Sequence, residues 1–187
     1  MSQRARIKRH PERAVPEEAA AILCQGSVAH VGFVQDGGPF VIPFLYQYSA
    51  ESPDRLYLHG ARASRAMRHL GGGEQVCVEV TLLDGLVYSR QAQSHSANYR
   101  SVVAFGRAHV VTDEMLKRRL FDGMTRRYFP DRTLGRDYEP VPSDYLATTT
   151  LLEVVVDEWT AKARRGPPLG PLDADPAAPG TAGVVDL

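Results

Sequence analysis

LYLHGARASRAMRHL, residues 56–70, changes from one kind of structure to another within a few positions. Apolar side chains alternate up to His59, as on a strand with one buried face. Gly60 interrupts the alternation, and Ser64 stands where the first turn of a helix needs an acceptor for its free N–H groups. The helix runs to Leu70 and is stopped by Gly71-Gly72-Gly73. A further strand, EQVCVEVTL (74–82), follows at once.

Upstream, SVAHVGFV (27–34) and FVIPFLYQY (40–48) read as the arms of a hairpin, with Gly37-Gly38 supplying the positive φ of a tight turn. Pro43 has no N–H to donate, so its strand has an edge, a bulge, or something other than a strand beside it. Before the hairpin, Pro16-Glu17-Glu18 opens a short helix that ends near Gly26. Downstream, residues 84–97 carry no clear period. NYRSVVAFGRAHVV (98–111) is a long strand with Gly106 as a bulge or close approach. Leu116, Leu120, Met124 and Tyr128 form the apolar stripe of a helix over 113–129. After the loop 130–142 and a turn around Ser143–Ala147, TTTLLEVVVDEWTAKA (148–163) is a last β-branched strand. Six strands with short connections predict a mainly β fold, an antiparallel barrel with a few helices, over a βαβ architecture that needs regular crossovers.

Residues 15–165 then form one domain. The basic lead 1–14 reads as flexible, and the tail 166–187, rich in Pro, Gly, Ala and Asp, reads as disordered because it has little to bury. The 187 residues hold 22 Lys plus Arg and 22 Asp plus Glu, so no general attraction to nucleic acid follows. No apolar run has the length of a membrane span. Two unpaired cysteines suit a reducing cytoplasm. The histidines are scattered, which argues against a metal site, and no Gly-x-Ser-x-Gly elbow is present.

The best candidate for chemistry is the turn at Ser64. Arg62, Arg65 and Arg68 surround it, and guanidinium forks match phosphate oxygens. A capped surface helix with solvated arginines would carry the same residues. His59, at the strand end beside this turn, is suited to a hydrogen bond or to titration near neutrality, or else is tied to backbone. Arg100, a charge within an apolar strand, needs a partner or a ligand. Trp159 and Lys162, followed by Arg164 and Arg165, give the last strand a basic, aromatic end.

The run His59-Gly60-x-x-x-Ser64-Arg65 before a helix resembles the FMN-phosphate segment of the pyridoxamine 5′-phosphate oxidase-like flavoproteins. Gly38-Pro39-Phe40-Val41-Ile42-Pro43 resembles the family's second strand, whose backbone lies along the isoalloxazine edge. Asn98-Tyr99-Arg100-Ser101-Val102-Val103 with Phe105-Gly106, and Trp159-Thr160-Ala161-Lys162, resemble strands of its 5-nitroimidazole-resistance-like subgroup. The likeness spans about residues 15–165. It implies an FMN-binding, six-stranded split barrel, a homodimer with the site between subunits, and a small-molecule substrate. The cofactor residues it implies are Val41, Ile42, Pro43, His59, Ser64, Arg65, Tyr99, Arg100, Ser101 and Lys162, with Phe44, Tyr46 or Tyr99 flanking the ring. Haem, ligated by His59, and a deazaflavin are the alternative cofactors. The implied activity is an FMN-dependent oxidoreductase passing electrons from NAD(P)H to a small organic, nitroaromatic-type acceptor; the alternative is a non-catalytic flavin or haem carrier. Ala66 replaces the lysine that follows Ser-Arg in the true pyridoxine phosphate oxidases, and their closing Arg-Leu-x-Pro is missing, so that particular reaction is not implied. No catalytic side chain is singled out.

Overall fold

The computed structural model describes residues 4–187. Eight strands form one antiparallel sheet: β1 Ala29–Gln35, β2 Gly38–Phe44, β3 Tyr46–Tyr48, β4 Arg55–Ala61, β5 Gly72–Tyr88, β6 Ser96–Val110, β7 Thr149–Arg164 and β8 Gly183–Asp186. The spatial order is β2-β1-β5-β6-β7-β4-β3, with β8 beside the far half of β5. The two ends of this path, β2 and β3, are consecutive in the chain and separated by Leu45 alone. The sheet therefore curls until its edges meet, which makes it a barrel split between β2 and β3.

Alternation sends Val31, Phe33, Leu56, Leu58, Val78, Val102 and Leu152 inward. Helix α1 (Ala19–Gln25) and helix α2 (Arg65–Leu70) add Ile22, Leu23, Met67 and Leu70 to the same core. Helix α3 (Glu114–Tyr128) lies outside the barrel over a second cluster of Val111, Phe121, Met124, Leu146 and Leu151. Leu146 belongs to the short helix α4 (Ser143–Thr148). Arg127 fastens the end of α3 to the end of α1 by donating to the Leu23 and Gly26 carbonyls at 2.8 and 2.6 Å, the favourable place for a cation.

Several expectations change in detail. Among the described residues the strand count is eight, because FVIPFLYQY breaks at Leu45 and the tail adds β8. The β1–β2 turn uses Asp36 (φ 51) and Gly37 (φ 76), while Gly38 already pairs with Gln35; Asp-Gly with two positive φ values matches the twist of the arms. The unassigned stretch 84–97 completes a long β5–β6 hairpin. Gly106 does sit at a bulge, where a Cβ would lie 2.0 Å from the Val155 carbonyl oxygen. Pro43 is on β2, an end strand.

The termini are laid against the domain. Ala5 is 1% exposed, Val15 donates to the Ala161 carbonyl at 3.0 Å, and Lys162 Nζ donates to the Arg9 carbonyl at 3.0 Å. The rest of the lead read as flexible, residues 1–3, lies outside the described residues. The tail read as disordered is held by Asp173, which accepts from Ser89 Oγ at 2.9 Å and the Arg90 N–H at 2.7 Å. Beyond it β8 pairs with Gly85–Tyr88, on the edge of β5 that β1 does not reach. Backbone pairing holds this segment where burial alone would not.

Candidate functional site

The turn between β4 and α2 is built as its residues imply. Ser64 is the N-cap of α2, and its Oγ accepts from the Met67 N–H at 3.2 Å. Arg62, Arg65 and Arg68 are all exposed. The Arg65 guanidinium stacks 4.2 Å from the ring centroid of Phe40, on β2. Phe40 in turn stacks on Phe33 at 5.5 Å. This contact brings the cationic turn against the end strand of the sheet.

On that strand Pro39, Val41 and Pro43 share one parity. Proline is tolerated where no ladder donor is needed, so backbone groups of this parity face away from β1, and the Val41 N–H and carbonyl lie on the open edge. The Val41 side chain is 67% exposed, whereas Ile42 packs against the core. An open groove of about 860 Å³ runs from Phe40 and Val41 across Gly32 and Cys77 to Phe105 and Arg107. Tyr46 cannot flank a ligand, because it is fully buried with its hydroxyl donating to the Leu23 carbonyl at 2.6 Å.

Tyr99, Arg100, Ser101 and Lys162 gather elsewhere. Tyr99, Arg100 and Ser101 pair with Arg164, Ala163 and Lys162 at the far end of the β6–β7 ladder. The turn at Ser64 follows Ala61, which pairs with Thr149 at the opposite end of β7. Roughly 40 Å of extended strand separates the two groups within one chain. Arg100 is fully engaged: Nε and Nη2 clasp Asp84 at 2.9 and 2.6 Å, and Nη1 donates to Gln25 Oε1 at 2.7 Å. The hydrogen bond from Arg100 holds the Asp84 carboxyl below its ordinary range.

His59 has a third environment. It lies on β4 beneath α3, edge-on to Phe121 with ring centroids 5.2 Å apart. With Leu45, Phe121, Met124, Val141 and Tyr145 it lines a cavity of about 430 Å³. Its Nδ1 is buried and has no hydrogen-bond partner among the described residues. Burial pushes the imidazole pKa below its usual value, so the neutral ring, with a lone pair to offer, is the form favoured near neutrality.

The sequence reading missed Phe40, Phe121 and the role of Asp84. Phe40 had a signal, its place three residues before Pro43 on the end strand; Phe121 sits three residues before Met124 on the helix stripe. No local pattern marks Asp84.

A family model described as pyridoxamine 5′-phosphate oxidase matches residues 16–163. A flavocytochrome of known structure from Azotobacter vinelandii is 34% identical, with a TM-score of 0.84, over 100% of this chain and 85% of that one. The FAD and haem binding protein from Mycobacterium smegmatis is 34% identical, with a TM-score of 0.80, over 92% and 82%. A candidate 5-nitroimidazole antibiotic resistance protein from Bacteroides thetaiotaomicron is 25% identical, with a TM-score of 0.65, over 80% and 86%. No curated protein matches the chain.

Proposed function

This chain belongs to the pyridoxamine 5′-phosphate oxidase family, and on that premise we propose that it is a flavin-binding oxidoreductase acting as a homodimer. The observation that carries the reading is the Arg65–Phe40 contact. It joins a cluster of exposed guanidinium groups, suited to a phosphate, to an unpaired strand edge, suited to the polar rim of a flavin ring. Val41, Ile42 and Pro43 supply that edge, and Ser64 with Arg65 grips the phosphate. A bound flavin supplies hydride and single-electron transfer; the protein supplies position and charge.

Ser101 and Lys162 reach the same flavin only from a second copy, given their distance along β7 from the turn. The exposed side chains of Val34 and Val41, 61% and 67% accessible, favour a covered outer face in the same assembly. FMN suits a site with one phosphate grip. FAD, which the Mycobacterium smegmatis relative binds, requires room for an adenylate, and mass analysis of the released cofactor separates the two. NAD(P)H as donor and a small nitroaromatic as acceptor complete the reading.

A specific observation favours haem as an additional group. An apolar cavity lined by a single histidine, whose ring has an unpaired nitrogen among the described residues and is favoured in its neutral form by burial, fits an iron ligand, and both relatives at 34% identity are flavin and haem proteins by description. The test is spectroscopic. Flavin bands that bleach anaerobically with NADPH and return with a nitroaromatic support the oxidoreductase; a colourless protein that takes up no added flavin refutes it. Flavin bands that never cycle identify a carrier instead, and a Soret band reports the haem separately.

A further inference from the structure

We infer that the end of β7 forms a second anion site, centred on Arg164, which takes the oxyanion group of a small molecule. Arg164 is the only charged side chain among the described residues that is buried, at 9% exposure. Its guanidinium donates to Asn98 Oδ1, to the Gly166 carbonyl at 3.3 Å and to the Pro167 carbonyl at 3.2 Å. All three acceptors are neutral. A buried charge is ordinarily balanced by an opposite one, and Arg164 has none among the described residues.

The side chain faces a cleft of about 400 Å³ shared with Glu12, Arg13 and Arg165. Two carboxylates offset the other cations. Glu18 clasps Arg165, with one bond at 2.9 Å, and Glu12 accepts from His10 at 2.9 Å while lying 4.0 Å from Arg13. The charge left over is that of Arg164, and a guanidinium fork matches a phosphate or a carboxylate. Lys162, which the homodimer reading turns toward a partner's flavin, stands two residues away on the same strand, so a Ser64/Arg65 double variant is what separates this site from the flavin phosphate. The Arg164 site lies at the opposite end of β7 from the Ser64 turn, and its second wall is the N-terminal segment, so an occupant fastens residues 12–15 to the sheet.

The experiment uses the full chain without added cofactor at fixed ionic strength, with chloride replaced stepwise by inorganic phosphate or by acetate. A ligand that binds only the folded state raises the unfolding midpoint. The expected result is a rise in the parent and in a Ser64→Ala, Arg65→Ala double variant, with at least tenfold weaker affinity in Arg164→Gln and several-fold weaker affinity in Arg13→Gln. Trypsin cleavage after Arg13 slows in parallel. A larger rise with phosphate marks a phosphoryl ligand, and a larger rise with acetate a carboxylate. If Arg164→Gln does not fold, Arg13→Gln decides. No rise beyond chloride in the parent, an equal rise in Arg13→Gln, or loss of the rise in the Ser64/Arg65 variant overturns the proposal; only that last outcome assigns the anion to the flavin turn.

Discussion

Arg100 and His59 pose the same problem at opposite regions of the barrel, and the fold resolves it in opposite ways. Each is a polar side chain in an otherwise apolar strand. At the β6 end, Arg100 is closed off by Asp84 and Gln25. Beneath α3, His59 faces an apolar cavity with its Nδ1 unpartnered among the described residues. The difference separates architecture from site: a polar group whose partners come from its own chain stabilises the fold, and one left without them is available to a ligand.

His59→Leu breaks the comparison most sharply. The Soret band of haem-reconstituted protein is lost altogether, while denaturant stability stays equal or rises by up to about 1 kcal/mol, because an unsatisfied polar atom is replaced by an apolar group. A loss of several kcal/mol instead would make His59 structural. Next in size, Ser64→Ala with Arg65→Ala weakens flavin affinity about hundredfold, the worth of one or two charge-assisted bonds, in a fluorescence titration. An affinity equal to the parent's removes the phosphate assignment. Asp84→Ala is the counterpart at the other region. It lowers unfolding free energy by about 1–2 kcal/mol, since the Arg100 pair is partly exposed, and leaves flavin and haem binding of the folded protein within twofold.

The smallest effects lie in pH dependence, and they fall in two windows. The pKa of His59 is lower in the folded state than in the unfolded chain. Above about pH 6.5, the ordinary histidine value, both states hold it neutral and the fold keeps its full stability. Below that, the unfolded chain takes up the proton first, and stability declines until the folded imidazole titrates as well. His59→Leu removes this decline. Asp84 is likewise depressed, by its hydrogen bond from Arg100, and Glu18 by its bond from Arg165. Their contribution is complete above the ordinary carboxylate range, about pH 4, and fades as pH falls below it. Asp84→Ala flattens only this second, more acidic decline, as followed by denaturant midpoints across pH.

The legible parts of the fold are those whose cause is local. The Ser64 cap, the Gly106 bulge and the edge placement of Pro43 each follow from one residue's backbone geometry or hydrogen-bonding capacity. Asp36 shares the β1–β2 turn with Gly37, but Gly37-Gly38 beside it offers the same positive φ values, so the local sequence does not fix which pair turns. β8 was illegible for another reason: Gly183–Asp186 is held by the free edge of Gly85–Tyr88, and composition says nothing about an edge that distant strands leave open. Among the site residues, the Ser64–Arg65 turn was readable as a unit. That Arg65 rests on Phe40, or that Phe121 and Tyr145 wall the His59 cavity, depends on segments far apart in sequence.

By itself, then, the chain's order of residues determined the alternation that makes strands, the caps and glycines that end them, and the pool of charged groups from which any site must be drawn. Only the closing of the barrel decided which of those groups were spent on one another. Neutralising a charge requires an opposite one within a few ångströms, and nearness between Arg100 and Asp84, or the lack of a hydrogen-bond partner for His59 Nδ1 among the described residues, is a property of packed strands and not of neighbouring residues.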